Sequence, residues 1–243
     1  MLITGAARGI GFACAKVFAE ACWRVIAVDV LEPVDKKPFK IFIQSDLATD
    51  SGLQKTAAYA QKIPSLDALV NNAAVQIIKP LLETNEQEID RVMNLNVKVP
   101  LFLAQTFFNR LSPGGSIVNI ASVHALSTSQ HIGTYAASKA ALLSLTRTMA
   151  LEFGVHDIRA NALLPGAVDT EMLRDGFGRG HLGQDDPEQQ LKEMASRHPL
   201  GRIGRPEDIA SAAYFLADVS QSGFMTGQTL IVDGGCLAKL SSE

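Results

Sequence analysis

This chain lacks most of what would tie it to a large partner. It lacks an excess of charge: 22 basic against 25 acidic residues leave a net charge of -3. No basic stripe is therefore available to grip a phosphate backbone, and nucleic acid is excluded as an expected partner. Long apolar runs are missing as well. None approaches the roughly 20 residues that cross a bilayer, so no membrane partner is expected. No basic stretch followed by an apolar one opens the chain, so no signal peptide is expected either. Cysteine is scarce. Cys14, Cys22 and Cys236 are scattered and do not have the close spacing of metal ligands. They read as thiols of a reducing compartment, which gives a cytoplasmic location and no metal site as the expectation. Repeats, low-complexity tracts and long linkers are also absent, so residues 1–243 are expected to form one domain.

What is present is strand–helix alternation. Short runs rich in Val, Ile and Leu at 2–4, 24–29, 40–44, 68–71, 116–120, 158–163 and 229–232 read as about seven strands. Most are largely apolar, as expected of parallel strands buried on both faces. Helical patterns lie between them at 10–21, 51–62, 85–111, 134–153 and 206–216, with Pro100 predicting a kink in the third. This order predicts an α/β fold: one Rossmann-like, doubly wound parallel sheet with helices on both faces. Ligands of such sheets bind at the carboxyl ends of the strands. The stretch 171–199 is different. It is polar, contains Gly176, Gly178, Gly180 and Gly183, and follows a strand at that edge, so it is expected to be a substrate lid.

The first strand runs into Thr4-Gly5-Ala6-Ala7-Arg8-Gly9-Ile10-Gly11 and then into a helix. A glycine-rich turn of this kind lets the backbone approach a pyrophosphate, which the first helical amides then face. Asp29 ends the second strand, where a carboxylate accepts both ribose hydroxyls and repels a 2′-phosphate. NAD is therefore expected over NADP, although Arg8 in the turn offers a 2′-phosphate a cation. Asp46, with Leu47 beside it, follows the third strand and is read as a contact to adenine.

In Tyr135-Ala136-Ala137-Ser138-Lys139, a phenol and an ammonium stand one helical turn apart. A free phenol has a pKa of about 10, too high for a base near neutrality. A nearby Lys⁺ and an oxidised nicotinamide would favour the phenolate. Ser122 follows the fifth strand, within reach of a substrate oxygen.

Taken in order, Thr4-to-Gly11, Asn71-Asn72-Ala73-Ala74, Asn96, Ser122, Tyr135/Lys139 and Pro165-Gly166-Ala167-Val168-Asp169-Thr170 resemble the short-chain dehydrogenase/reductase family. The stretches 201–208 and 227–235 resemble it too, so the likeness covers essentially the whole chain. The resemblance implies a catalytic set of Asn96, Ser122, Tyr135 and Lys139, with Asn96 holding a water that links Lys139 to solvent. It also implies a cofactor site formed by Gly5, Arg8, Gly9, Ile10, Gly11, Asp29, Asp46, Leu47, Asn72, Ala73, Ala74, Pro165, Gly166, Val168 and Thr170, with Tyr135 and Lys139. Ala74 departs from the pattern, since many members have glycine there. Members commonly pack the helices matching 85–111 and 134–153 against partner subunits, which makes a homotetramer the expectation.

The expected reaction is hydride transfer between NAD(H) and a small sugar, polyol or hydroxy acid. The alternative is an NADPH-dependent 3-ketoacyl thioester reductase, against which Asp29 argues. On the substrate side, Gln76 and His124 resemble polar residues that 3-hydroxybutyrate dehydrogenases of the family place around a carboxylate. Ile132 stands where those enzymes carry a lysine, and the lid and ending look more like aldose dehydrogenases. Arg174, four residues after Thr170, is expected to supply a bidentate contact to an anionic substrate.

Overall fold

The computed structural model describes residues 1–177 and 186–238. In chain order they form β1 (Leu2–Thr4), α1 (Gly9–Glu20), β2 (Ile26–Asp29), β3 (Ile41–Gln44), α2 (Asp50–Ala57), β4 (Leu66–Asn71), α3 (Glu86–Met93) and α4 (Val99–Phe107). There follow β5 (Leu111–Ile120), α5 (Gly133–Gly154), β6 (Arg159–Pro165), α6 (Glu171–Phe177), α7 (Pro187–Ser196), α8 (Pro206–Ala217), α9 (Val219–Ser222) and β7 (Thr229–Val232). The strands make one sheet, ordered β3-β2-β1-β4-β5-β6-β7, with every pairing parallel.

The apolar strands explain the layers. Successive residues point to opposite faces, and both faces are buried. Ile3, Ala27, Val70 and Val118 pack with α1 and α8, through Ala13, Cys14, Ile209 and Ala213. Their neighbours Leu2, Ile26, Leu69 and Ile117 pack on the other side with Leu53 of α2, Leu103 of α4 and Met149 of α5. Residue pairs such as Asn71↔Asn119 keep β4 and β5 in register, and Asn71 Nδ2 donates to Asn119 Oδ1 at 2.8 Å. Asn119 Nδ2 donates in turn to Thr146 Oγ1 at 2.9 Å, which ties α5 to the sheet. The sheet's one buried guanidinium, Arg159, donates to the carbonyls of Leu216, Ala217 and Ser222, where the C-terminal ends of α8 and α9 carry partial negative charge.

Two stretches differ from expectation. The helix over 85–111 is not continuous. Asn85 caps α3 in a capping box with Glu88, and a π turn at Asn94–Lys98 separates α3 from α4. Pro100, in the first turn of α4, cannot donate to the ladder, and the wider turn accommodates the lost bond. The stretch 171–199 carries two helices, α6 and α7, that its polar spacing did not predict. Gly178, Gly180 and Gly183 lie outside the described residues.

Candidate active site

The carboxyl ends of the strands open into a cavity of about 390 Å³. One end is the glycine turn. Gly5 has a φ of 65°, and a Cβ built there would lie 2.8 Å from both Ala73 Cα and Asn72 Nδ2. A Cβ on Gly11 would lie 2.0 Å from the Gly5 carbonyl oxygen, which is closer than atoms can stand. Gly9, with a φ of 55°, faces Thr170. Only glycine fits these positions. Asn72 fixes the turn from β4, its Nδ2 donating to the carbonyls of Thr4 at 3.0 Å and Gly5 at 2.9 Å. Thr4 Oγ1 accepts the amides of Asn72 and Ala73, both at 3.0 Å. The sequence reading passed over Thr4 as a brace because its partners lie on a distant strand.

Asp29 is buried at the tip of β2. Its Oδ2 accepts the Ala7 amide at 2.8 Å and its Oδ1 the Leu31 amide at 2.9 Å. The carboxylate is therefore held against the glycine turn, on the cavity wall. Arg8 also reaches the wall, but it is ion-paired with Glu171 at the start of α6. Asp46 lines the cavity and serves as a turn residue at once, its Oδ1 accepting the Ala48 amide at 2.9 Å. Ile10, Leu47, Ala73, Ala74, Pro165, Gly166, Val168 and Thr170 complete this part of the wall.

At the other end stand Ser122, Tyr135 and Lys139. Ser122 follows β5, and both Tyr135 and Lys139 are buried on α5. The Ser122 hydroxyl is placed to favour the charged form of the phenol. Lys139 Nζ sits 5.5 Å from the centre of the Tyr135 ring and donates to the Ile120 carbonyl at 2.8 Å. Burial raises the phenol to about 12, against which the Ser122 hydroxyl pulls, and the same burial lowers the ammonium to about 7. The sequence assigns the lowering of the phenol to Lys⁺ together with an oxidised nicotinamide; among the chain's own groups, burial raises it and the Ser122 hydroxyl pulls it down.

Asn96 does not line the cavity. Its side chain is occupied: Oδ1 accepts the Val75 amide at 2.9 Å, and Nδ2 donates to the Val75 carbonyl and to Ser138 Oγ. Ser138 in turn donates to the Tyr135 carbonyl at 2.7 Å, so Asn96 braces the catalytic helix. In the π turn the Val99 amide reaches back to the Asn94 carbonyl, and Pro100 brings no amide. A backbone carbonyl at Leu95 or Asn96 is thus left without a helical donor.

On the substrate side, Gln76 and His124 line the cavity and Arg174 does not. Gln76 Nε2 donates to the Met172 carbonyl of α6 at 3.1 Å. His124 lies 6.2 Å from the Tyr135 ring, nearly perpendicular to it, and burial holds its pKa below the ordinary value. Arg174 is turned to Asp169, which takes two of its N–H groups at 2.7 and 2.9 Å, and Glu188 lies 3.8 Å away. The anion contact expected of it is satisfied by the protein's own carboxylates. Met172, Leu173 and Met194 complete the wall unforeseen, because α6 and α7 carried no clear apolar period.

These residues fit a dinucleotide: the glycines leave room for a close backbone approach, and a held carboxylate stands where a ribose would lie. A family model described as Enoyl-(Acyl carrier protein) reductase matches residues 5–236. An NAD-dependent glycerol dehydrogenase of Listeria innocua is 33% identical over 98% of this chain and 93% of its own length. A 2-dehydro-3-deoxy-D-gluconate 5-dehydrogenase of Dickeya dadantii is 35% identical over 98% of this chain and 95% of its own. Among solved structures, the ligand-free aldohexose dehydrogenase of Thermoplasma acidophilum superposes with a TM-score of 0.91 at 30% identity, covering 99% of this chain and 94% of that one. The chain belongs to the short-chain dehydrogenase/reductase family and is an oxidoreductase of an alcohol or its carbonyl.

Proposed function

We propose that this chain is an NAD(H)-dependent dehydrogenase of a small polar secondary alcohol: a sugar, a polyol or a hydroxy acid. The observation that carries the reading is one cavity with Ser122, Tyr135 and Lys139 at one end and the Asp29 carboxylate held at the other. When bound, the nicotinamide supplies the hydride acceptor. Ser122 holds the substrate oxygen, and Tyr135 Oη takes the hydroxyl proton as the carbon loses its hydride. Lys139, fixed on the Ile120 carbonyl, steadies the phenolate and grips the nicotinamide ribose. The proton then leaves by a water on the undonated carbonyl of the π turn. Val168 and Thr170 hold the carboxamide.

Asp29 supports NAD over NADP, since its carboxylate faces the position a 2′-phosphate would take. The pairing of Arg8 with Glu171 supports the same choice, because the one cation of the turn already has a counter-ion. Initial rates with the two oxidised cofactors test this. NAD should give the larger kcat/KM, and Asp29→Ala should weaken NAD by about 1–3 kcal/mol while improving NADP. A wild-type preference for NADP would overturn the assignment. We further propose that α6 and α7 form the lid over the substrate end, where their side chains line the cavity. A homotetramer built through α4 and α5 is proposed with it, and light scattering tests that. Leu151 on α5 is 79% exposed and available for such packing. The free cysteines Cys14, Cys22 and Cys236 fit a cytoplasmic location. By name, the relatives include both a neutral polyol dehydrogenase and a sugar-acid dehydrogenase, so the cavity itself must decide the substrate's charge.

A further inference from the structure

We infer that the substrate is uncharged: the site takes a neutral polyol or hydroxy-ketone, read through His124 and Gln76, and rejects carboxylates and phosphate esters. This rests on the dehydrogenase reading and narrows its substrate class.

Charge is the first argument. Among the described residues, Arg8 and Lys139 are the only Lys or Arg side chains lining the cavity. Arg8 is paired with Glu171. Lys139 lies behind the phenol, 2% exposed, with Nζ on the Ile120 carbonyl. Arg174, the nearest further candidate, is held bidentately by Asp169. On the lid side the wall carries Glu171, itself paired with Arg8, while Asp29 and Asp46 belong to the glycine-turn end. Among the described residues, a carboxylate in this cavity would find no free fork of donors, and a charge without a counter-ion in a partly dry site is strongly disfavoured.

His124 supplies the second argument. Its amide donates to Ser122 Oγ at 3.2 Å, which fixes the residue beside the reacting groups. Its Nδ1 is shielded from solvent and has no hydrogen-bond partner among the described residues. A shielded N–H without an acceptor is a rarer and costlier orphan than a shielded lone pair, so the proton belongs on Nε2. The imidazolium would bury an unpaired N–H at Nδ1, so the ring stays neutral; its depressed pKa has the same origin. His124 therefore offers one neutral donor, Nε2–H, and no counter-charge.

Gln76 complements it. Its Nε2 donates to the Met172 carbonyl, while Oε1 has no hydrogen bond among the described residues. An Nε2–H donor and an Oε1 acceptor suit hydroxyl groups, which both give and accept hydrogen bonds. An anion only accepts, and Oε1 would repel it. Met172, Leu173 and Met194 form an apolar wall, which fits the C–H edge of a carbon chain.

Matched pairs of one carbon skeleton test the proposal. Glycerol against glycerate, and ribitol against ribonate, are assayed with oxidised cofactor at the nicotinamide absorbance. The neutral member should exceed its acid by about 100-fold in kcat/KM. His124→Ala should lower kcat/KM for the polyols by roughly 10- to 100-fold, a clearly larger loss than on 2-butanol, which has no neighbouring hydroxyl to lose. Gln76→Lys, which adds the missing cation, should raise activity on the acids. Acids turned over as well as polyols would overturn the inference, as would equal losses on 2-butanol and polyols in His124→Ala. The dehydrogenase reading survives both results if Tyr135→Phe abolishes the turnover. If no compound of either class reduces the cofactor, both fall together.

Discussion

The two ends of the cavity are built by different means. The glycine-turn end is set by backbone. Gly5 and Gly11 pack against main chain, Asn72 and Thr4 clamp the turn, and Asp29 accepts two amides. These contacts are short, buried or part-buried, and mutually dependent, so the turn has one shape. On the lid side, α6 and α7 bury Phe177 and Leu191 and add half-exposed polar contacts: Arg8 to Glu171, Arg174 to Asp169 and Gln76 to Met172. Exposed ion pairs contribute little to stability. The glycine turn is thus fixed by main-chain packing, whereas the polar contacts of α6 and α7 are mostly exposed ion pairs, each worth little. Ser122, Tyr135 and Lys139 stand at the end away from the glycine turn, yet on the packed body, because the β5 edge and α5 carry them.

The largest effect expected comes from these three. Tyr135→Phe should cut turnover by 10²-fold or more, the usual weight of a positioned acid–base group. NADH binding, followed by fluorescence titration, should stay within a few-fold of wild type. Retention of a tenth of the activity would remove Tyr135 from its role.

Gly11→Ala tests the rigid end. A methyl group there has no space against the Gly5 carbonyl, and main chain cannot yield as a side chain does. Loss of about 3 kcal/mol in denaturant unfolding is expected, at the upper end of ordinary overpacking, together with weakened cofactor binding. A normal unfolding midpoint would mean that the turn is looser than its contacts imply.

Lys139→Met separates stability from function. An unfolded lysine keeps its proton to its ordinary value of 10.5, while the folded ammonium loses it near 7. Between those values the unfolded chain binds more protons, so wild-type stability should rise with pH from about 7 towards 10.5. Below about 7 the burial penalty is present in full. The Met variant removes the penalty. It should be more stable by about 1–3 kcal/mol near neutrality, with a smaller pH slope over that window, and inactive. Parallel denaturant titrations at pH 6.5 and 9 check the sign. A variant that is less stable at both pH values would show that the bond to the Ile120 carbonyl outweighs desolvation.

The smallest effect is expected on the lid side. Arg174→Ala removes an exposed pair with Asp169, so thermal stability should barely change, and kcat/KM should move by less than about threefold for neutral and acidic substrates alike. A selective loss on acids would return Arg174 to the substrate site and sharpen the contrast between the two ends in the opposite sense.

The sequence by itself determined the sheet and the cofactor end. Both-face-apolar runs such as 68–71 permit only a buried strand, and the structure extends that one to Leu66–Asn71. Glycines after β1, an acid after β2 and the Tyr–Lys spacing act over a few residues, so local order reveals them. Tertiary structure alone decided the rest. The π turn at Asn94–Lys98 depends on Asn96 finding Val75 and Ser138 across the fold. Arg8 is taken by Glu171, and Arg174 by Asp169 and Glu188, so neither is free for the anion that its charge alone would attract. The protonation of Tyr135 and Lys139 follows from how deeply α5 is buried, which no spacing encodes. Residue type fixes what a side chain can do, but the partners that come to it from distant strands and helices fix what it is left to do.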